Sequence, residues 1–476
     1  MGSRRTIVMV FVVMLALAGT PGILLGQQPD ESPKPAARAY PPLGEISPDQ
    51  GQSNPQVLTP DTRSLTGAQS PTLGSAEMGH SYWVPGFEYG DFLPSSSTLD
   101  RTVTDWNSTS FIAGNLSLVE SWRHAALNLN YSGGGYFSTD NAIGNGQFHQ
   151  LGVLHESDWG KWQLAFIDQF SYLPQTQFGF GAGTNLALPG IGGDLGAQLS
   201  GLQISYVPSQ SIYSAIGPRY SNAFVTQIGY SISRRSRLTL AGSYGVLHFT
   251  EPGSIDTYDA VLGAGYSFEL SRYDTVGVVY RFTAYHFTDS PEAFGDHTVQ
   301  LAYGRKITGR LAMQLFGGPE ITEFRVPLGT STRRVTGAGA ANLTYGVSEQ
   351  TSLSLGYTHG MSGGSGVLTG AVTDQIEGSL DHQLSRLWRG GVHFGYARNT
   401  SLAQSGSQNF PNFDNWYAGA NLERPIGRSM HVNFAYTANI ESSNLPISTI
   451  GVPKTSFTMH QITLEFGWHA RPLVIR

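Results

Sequence analysis

From about residue 108 onward, apolar and polar side chains alternate with period two over runs longer than a soluble strand needs. Within residues 430–440, Met430, Val432, Phe434, Tyr436, Ala438 and Ile440 fall on one face. His431, Asn433, Ala435, Thr437 and Asn439 fall on the other. Val276, Val278, Tyr280, Phe282 and Ala284 oppose Gly277, Val279, Arg281 and Thr283, and Ala260, Leu262, Ala264, Tyr266 and Phe268 oppose Asp259, Val261, Gly263, Gly265 and Ser267. The longer runs reach about 10 to 13 residues, the length of a tilted strand crossing a bilayer. Strands of soluble proteins usually stop near about five or six. The pattern predicts strands whose one face meets hydrocarbon.

Composition narrows the class. Charged residues make up 13% of the 476-residue chain, about half the usual share of a soluble domain. Glycine (59 residues) and aromatics (11%) are both abundant, and the mean hydropathy is −0.16. A helical membrane protein would be far more apolar, and no run of about 18 apolar residues exists beyond residue 26. A transmembrane barrel averages lipid-facing against lumen-facing residues and fits these values. The net charge of −6 argues against a nucleic-acid partner. With no cysteine, disulfides, thiolate zinc sites and thiol nucleophiles are excluded.

The first residues read as a signal peptide (1–26). Arg4 and Arg5 precede an apolar stretch over residues 7–18 that is too short to span a bilayer, with cleavage after Ala18 or Gly26. Residues 27–78 are rich in Pro, Gln, Ser and Asp, the composition of a disordered periplasmic linker. The barrel domain is expected over 79–476.

Short polar links punctuate the strands. They begin at Ser121, Ser157, Ser233, Ser271, Thr308, Ser348, Ser385 and Gly427, mostly about 36 to 40 residues apart, with longer Gly/Ser/Asn/Pro stretches between them. Short turns alternating with long loops is the barrel plan. A β-propeller would repeat too, but with shorter strands and less clean alternation. Eight short turns define sixteen strands; the segment after Thr455 adds one, and the aromatic stretch from Tyr82 to Phe92 adds an ascending first strand. The expected fold is therefore all-β: an antiparallel transmembrane barrel of about 18 strands. Sixteen remain open if the first strands do not insert, and twenty if the doubled gap after Ser157 hides a hairpin.

Signal peptide, alternation, turn spacing and the strand Ile462-Thr463-Leu464-Glu465-Phe466-Gly467-Trp468 together resemble the porin-like class of Gram-negative outer-membrane proteins. The resemblance covers about residues 80–476. It implies outer-membrane lipids and the barrel-assembly machinery as partners. One departure stands out: members typically end on an aromatic residue, whereas here residues 469–476 follow Trp468.

No Walker loop, Rossmann fingerprint, H-E-x-x-H or G-x-S-x-G motif is present. His149 and His155 share a strand but lie too far apart to ligate one metal easily. Neither an enzyme nor a cofactor is expected. The predicted lumen face is polar and neutral: Gln227, Thr239, Ser243, Gln300, Gln314, Asn342, Ser354, Asn433, Thr437 and Thr463, with Arg281 the clearest mid-strand charge and Glu269, Asp381 and Glu423 near the periplasmic mouth. Lumen or constriction candidates are Arg281, Asp168, Gln314, Glu320, Phe178 and Phe180. Asp168 falls in the lipid-facing register after Trp162, Leu164 and Phe166, and a β-bulge after Phe166 would turn it inward. The long loop over 174–218, apolar and Gly-rich around Phe178 and Phe180, is expected to fold into the lumen as a constriction or plug. The function expected is passive diffusion of small polar, uncharged solutes. The competing readings are a structural or adhesive barrel with a blocked lumen, or a component of polysaccharide export.

Overall fold

The computed structural model describes residues 81–475 apart from 97–104, 107, 140–143, 174–211, 213–217, 251–253, 289–292, 309, 326–331, 349, 403–410, 428, 445–455 and 472. The signal-peptide and linker segments, and Phe178 and Phe180, lie outside these residues.

The strands in chain order are β1 (Ser81–Ser96), β2 (Asp105–Trp106), β3 (Thr109–Trp122), β4 (Ala125–Ser138), β5 (Gly146–Trp159), β6 (Trp162–Leu173), β7 (Arg219–Ser231), β8 (Ser236–Phe249), β9 (Thr257–Glu269) and β10 (Asp274–Phe287). They continue with β11 (Ala293–Lys306), β12 (Leu311–Arg325), β13 (Thr332–Ser348), β14 (Thr351–Ser362), β15 (Ala371–Gln383), β16 (Arg389–Ser401), β17 (Asn412–Ile426), β18 (Met430–Ser443), β19 (Ser456–His469) and β20 (Leu473–Ile475). Each long strand pairs antiparallel with its sequence neighbours, and β1 pairs with both β3 and β19. The result is a closed antiparallel barrel of 18 strands, with β2 and β20 as short additions to β1. Closure leaves no edge strand, which is how strands satisfy every backbone group inside hydrocarbon.

The alternation is observed as written in the sequence. Side chains on the row of Val278, Tyr280, Phe434 and Leu464 face outward and are exposed, whereas Val279, Thr283, Asn433 and Thr463 on the other row are buried. Aromatic side chains ring the outer face at both ends. Trp83, Trp122, Trp159, Trp162 and Trp468 lie at the short-turn end. Near the long-loop end, Tyr172 stacks on Tyr220 at 4.6 Å, flanked by His149 and His248. Two girdles about an apolar band are the outer surface of a transmembrane barrel, whose short turns lie on the periplasmic side and longer loops outside.

The short turns have a common physical basis. In five of them the opening hydroxyl accepts backbone N–H groups two or three residues on. Ser271 Oγ takes the amides of Tyr273 and Asp274, both at 3.0 Å. Thr308 Oγ1 takes Arg310 and Leu311, and Ser385 Oγ takes Leu387 and Trp388. Ser233 and Ser348 do the same for Arg235 and Gln350. The hydroxyl thereby supplies the acceptor that a tight turn lacks. In the Trp159–Trp162 hairpin, Gly160 supplies the left-handed φ of 63° instead.

Residues beyond Trp468 extend the closing seam. Leu473, Val474 and Ile475 pair with Trp83, Tyr82 and Ser81, continuing along β1 the β1–β19 ladder, beyond which the Ala470 amide donates to Pro85 O.

Candidate functional site

All ten polar residues expected to line the lumen fall on the inner row, and Gln227, Thr239, Gln314, Asn433 and Thr463 are buried there. The expectation of a neutral lumen is corrected, however. Glu88, Asp259, Asp296, Glu320, Glu441 and Glu465 also occupy the inner row, each no more than 5% exposed. Alternation had placed Asp259 and Glu465 on that face. Glu320 was already a lumen candidate, Glu441 continues the row of Asn439 by one step, and Glu88 and Asp296 sit beside the glycines Gly86 and Gly295 that blur the pattern.

Arg281 is the centre of a charged row. Its Nη2 lies 3.7 Å from Asp296 Oδ2 and 3.9 Å from Glu320 Oε1, and donates to Thr298 Oγ1 at 3.3 Å. The row is set by register: Arg281 on β10 pairs with Thr298 on β11, which pairs with Glu320 on β12. Hydroxyls complete the carboxylates. Thr298 and Thr322 donate to Asp296, and Thr336 donates to Glu320. The two carboxylates are almost fully buried, whereas the Arg281 side chain keeps 20% exposure. Arg281 is thus the member that a solute can reach.

Glu320 has a second task. The β13–β14 ladder runs only from Ser348 up to Gly339, opposite His359. Above it β14 stays with β15 and leaves β13. The amide of Met361, which lost its strand partner there, donates to Glu320 Oε1 at 3.2 Å. The carboxylate therefore holds the point where β14 turns away from the wall.

From that point the chain crosses the extracellular mouth. Residues 363–370 form a tight structure in which the amides of Val367 and Leu368 donate to Gly364 O. Gly364, Ser365, Gly366 and Gly370 all have positive φ, affordable for glycine and unusual for Ser365 at 57°. The amide of Ile255, before β9, donates to Gly366 O at 2.8 Å. Gly366 lies directly against the ring of Phe249, Gly363 against Thr257 and Tyr285, and Gly370 against Phe294. Leu368 packs with Ile212, Ala371 and Phe413. The loop thus reaches from β14 and β15 to the rims of β8 through β11, about a third of the way round the ring.

Its landing surface belongs to an inner aromatic collar. Phe92, Phe111, Tyr136, Phe148, Phe249, Phe287, Phe294 and Phe413 are all buried on the inner row near the extracellular strand ends. The sequence pattern assigned aromatic side chains to lipid and so missed the collar. The available signal was a phenylalanine out of phase at a strand end, as in Leu247-His248-Phe249.

The remaining candidates separate. Gln314 is inward and buried, but it pairs with Gly304 and Asn342 near the periplasmic end, away from the Arg281 row. Asp168 faces outward, and this corrects the bulge expectation. The ladders of β6 with β5 and β7 run without a register shift, so Asp168 stays in phase with Phe166 and Phe170. Asn222 Nδ2 of β7 donates to Asp168 Oδ1 at 2.9 Å, a local hydrogen bond that removes the need for a bulge. Of the long loop, Ile212 is described, and it is buried against Leu368. Among the described residues no group of three or more His, Asp or Glu converges as a metal site requires.

No family model matches the chain and no curated protein matches it. Among solved structures it is similar to OccAB3 of Acinetobacter baumannii, with 10% identity and a TM-score of 0.41 over 83% of this chain and 100% of that one. It is also similar to the outer membrane protein opdK of Pseudomonas aeruginosa (10%, TM-score 0.41, 82% and 99%) and to OccK2 (OpdF) of the same organism (10%, TM-score 0.43, 82% and 99%). At such values the function has to be argued from this chain's own residues.

Proposed function

We propose that this barrel is a channel in the bacterial outer membrane for passive diffusion of small polar solutes, narrowed at its extracellular mouth by residues 363–370. The observation that carries this reading is the docking of that loop across the mouth, directly above the Arg281–Asp296–Glu320 row. A barrel of about 18 strands is wide enough to enclose water unless something inside narrows it. In this reading the loop and collar narrow the extracellular opening, and the charged row lies beneath them on the path of a solute. The solutes expected from the sequence were uncharged. Six buried inner carboxylates, with Arg281 and Arg219 on the same inner face, make charge a selection criterion. Ile212 against Leu368 supports a contribution from the 174–218 loop to the same constriction.

The close packing of the collar favours one competing reading, a barrel whose mouth stays shut and whose role is structural. Single-channel recording in planar bilayers separates the two. Discrete openings are expected from the whole protein, with a several-fold larger conductance once residues 364–369 are replaced by a short Gly-Ser link. Silence from both proteins, each shown to be folded, would establish the structural reading.

A further inference from the structure

The wall formed by β18, β19, β1 and β3 is built differently from the Arg281 row. Descending its inner face, the chain presents Glu441, Asn439, Gln461, Glu465, Glu88 and Asn115. Register makes them a continuous diagonal. Gln461 lies opposite Thr437, one inner step below Asn439; Glu465 lies opposite Gly90; Glu88 lies opposite Gly467; and Asn115 lies opposite Gly86. All six are buried, with exposures between 1% and 5%.

Three amide orientations on this wall, those of Asn115, Asn415 and Asn433, follow from chemistry. Asn115 Nδ2 donates to Glu88 Oε1 at 2.6 Å. A carboxylate only accepts, so the NH2 group must face it and Asn115 Oδ1 must point away. Asn415 and Asn433 likewise donate to Glu441 and Glu465, at 3.0 and 3.4 Å. Gln461 Nε2 donates to Thr463 Oγ1 at 3.1 Å. The wall's own N–H groups are thereby turned toward its own acceptors. Asn115 Oδ1, Asn439 Oδ1 and Gln461 Oε1 have no hydrogen-bond partner among the described residues. Buried acceptors without donors are costly, and here three of them are interspersed among three carboxylates. His431 in the Glu88 row and His469 in the Asn115 row are the imidazoles on the same track, and His431 Nε2 is also without a partner among the described residues.

A molecule complementary to this wall carries positive charge, offers donors only, and repeats them along a line. We infer that the β18–β19–β1–β3 wall is a binding track for linear organic cations of the polyamine type. Their ammonium groups sit beside Glu441, Glu465 and Glu88, and their N–H donors reach the orphan amide oxygens. Ammonium is the complementary donor group, carrying three N–H donors and no acceptor. The inference rests on the channel reading for how such a cation arrives, but not for how it is held.

Spermidine is the probe, titrated by calorimetry into the full-length protein in detergent at low salt. Saturable binding is expected, weakened about tenfold or more in a Glu88→Gln, Glu441→Gln, Glu465→Gln variant. The corresponding triple Asp variant, which keeps the charges, retains most of it. Should the triple Gln variant fail to give the compact unheated band on gels, Glu465→Gln alone is expected to lose about threefold. In bilayers under a salt gradient, the reversal potential shifts from cation-selective toward neutral in the same variants. Absent spermidine binding, or binding that the Gln variants leave unchanged, overturns the inference even if the protein conducts. Charge-dependent binding by a protein that does not conduct upholds the inference and overturns the channel reading alone.

Discussion

The phase of a strand decides what a charged side chain costs. Asp168 and Arg281 both sit in the middle of long strands, and a difference in phase sends one to lipid and the other to the lumen. Asp168 faces outward with Asn222 as its partner, and an acidic group in hydrocarbon is destabilising, less near the interface than at the midplane. Replacing both residues, with Asp168→Leu and Asn222→Val, is expected to raise the free energy of unfolding in urea by about 1 kcal/mol and to leave conductance unchanged. A less stable double variant would mean that this face is covered by protein. Arg281 behaves oppositely. Arg281→Met leaves Asp296 and Glu320 facing each other without a cation. Because Arg281 keeps 20% exposure, water shares the loss, and about 2 kcal/mol of destabilisation is expected. Pairing it with Glu320→Gln should recover part of that loss in the same urea titration.

Elements translate these residues into positions, and much of that translation was readable beforehand. The eight short turns, the three quoted alternating runs and the ascending strand around Tyr82 to Phe92 are all where the alternation and turn spacing put them. They were legible because each obeys a local rule: period two for a strand between lipid and lumen, and a hydroxyl or glycine opening a tight turn. The loop over residues 363–370 was not legible. Met361-Ser362-Gly363-Gly364-Ser365-Gly366 looks like any exposed glycine-rich link, and its inward course depends on Phe249, Tyr285 and Phe294, brought near only by closure of the ring. Glu88, Asp296 and Glu441 were missed for a related reason, since single charges in separate strands become a surface only in three dimensions. The loop's conformation makes a sharp prediction. Gly366 has φ 79° and no room for a Cβ against Phe249, so Gly366→Val is incompatible with the docked loop. The barrel should remain folded, because the loop adds no rung to the wall, while single-channel conductance rises toward that of the loop-replaced protein. Unchanged conductance in a folded Gly366→Val protein would mean that residues 363–370 do not limit flow.

At the scale of the whole molecule, everything above depends on the ring closing between β1 and β19. A sixteen-strand barrel would leave β1 and its partner out of the wall, and a twenty-strand barrel would insert a hairpin between β6 and β7. Instead β6 pairs directly with β7 from Trp162 opposite Tyr230 to Leu173 opposite Arg219, and β1 lies between β19 and β3 along most of its length. The seam joins residues far apart in the chain, and forming such contacts requires closing a long loop of chain. With no cysteine in the natural sequence, the seam can be tested cleanly with Asp91→Cys and Leu464→Cys, at positions that pair directly. Strand partners lie close enough for a disulfide. The bond should form in the membrane-inserted protein, and the oxidised form should unfold at higher urea than the reduced form. The loop-entropy model sets an upper limit of about 6 kcal/mol on that gain. In a sixteen-strand ring Asp91 would lie outside the wall and the pair would stay reduced. A shifted seam would instead favour cross-linking from Asp91 to a cysteine at Ile462 or Phe466, so the same set of variants reads the register as well as the closure.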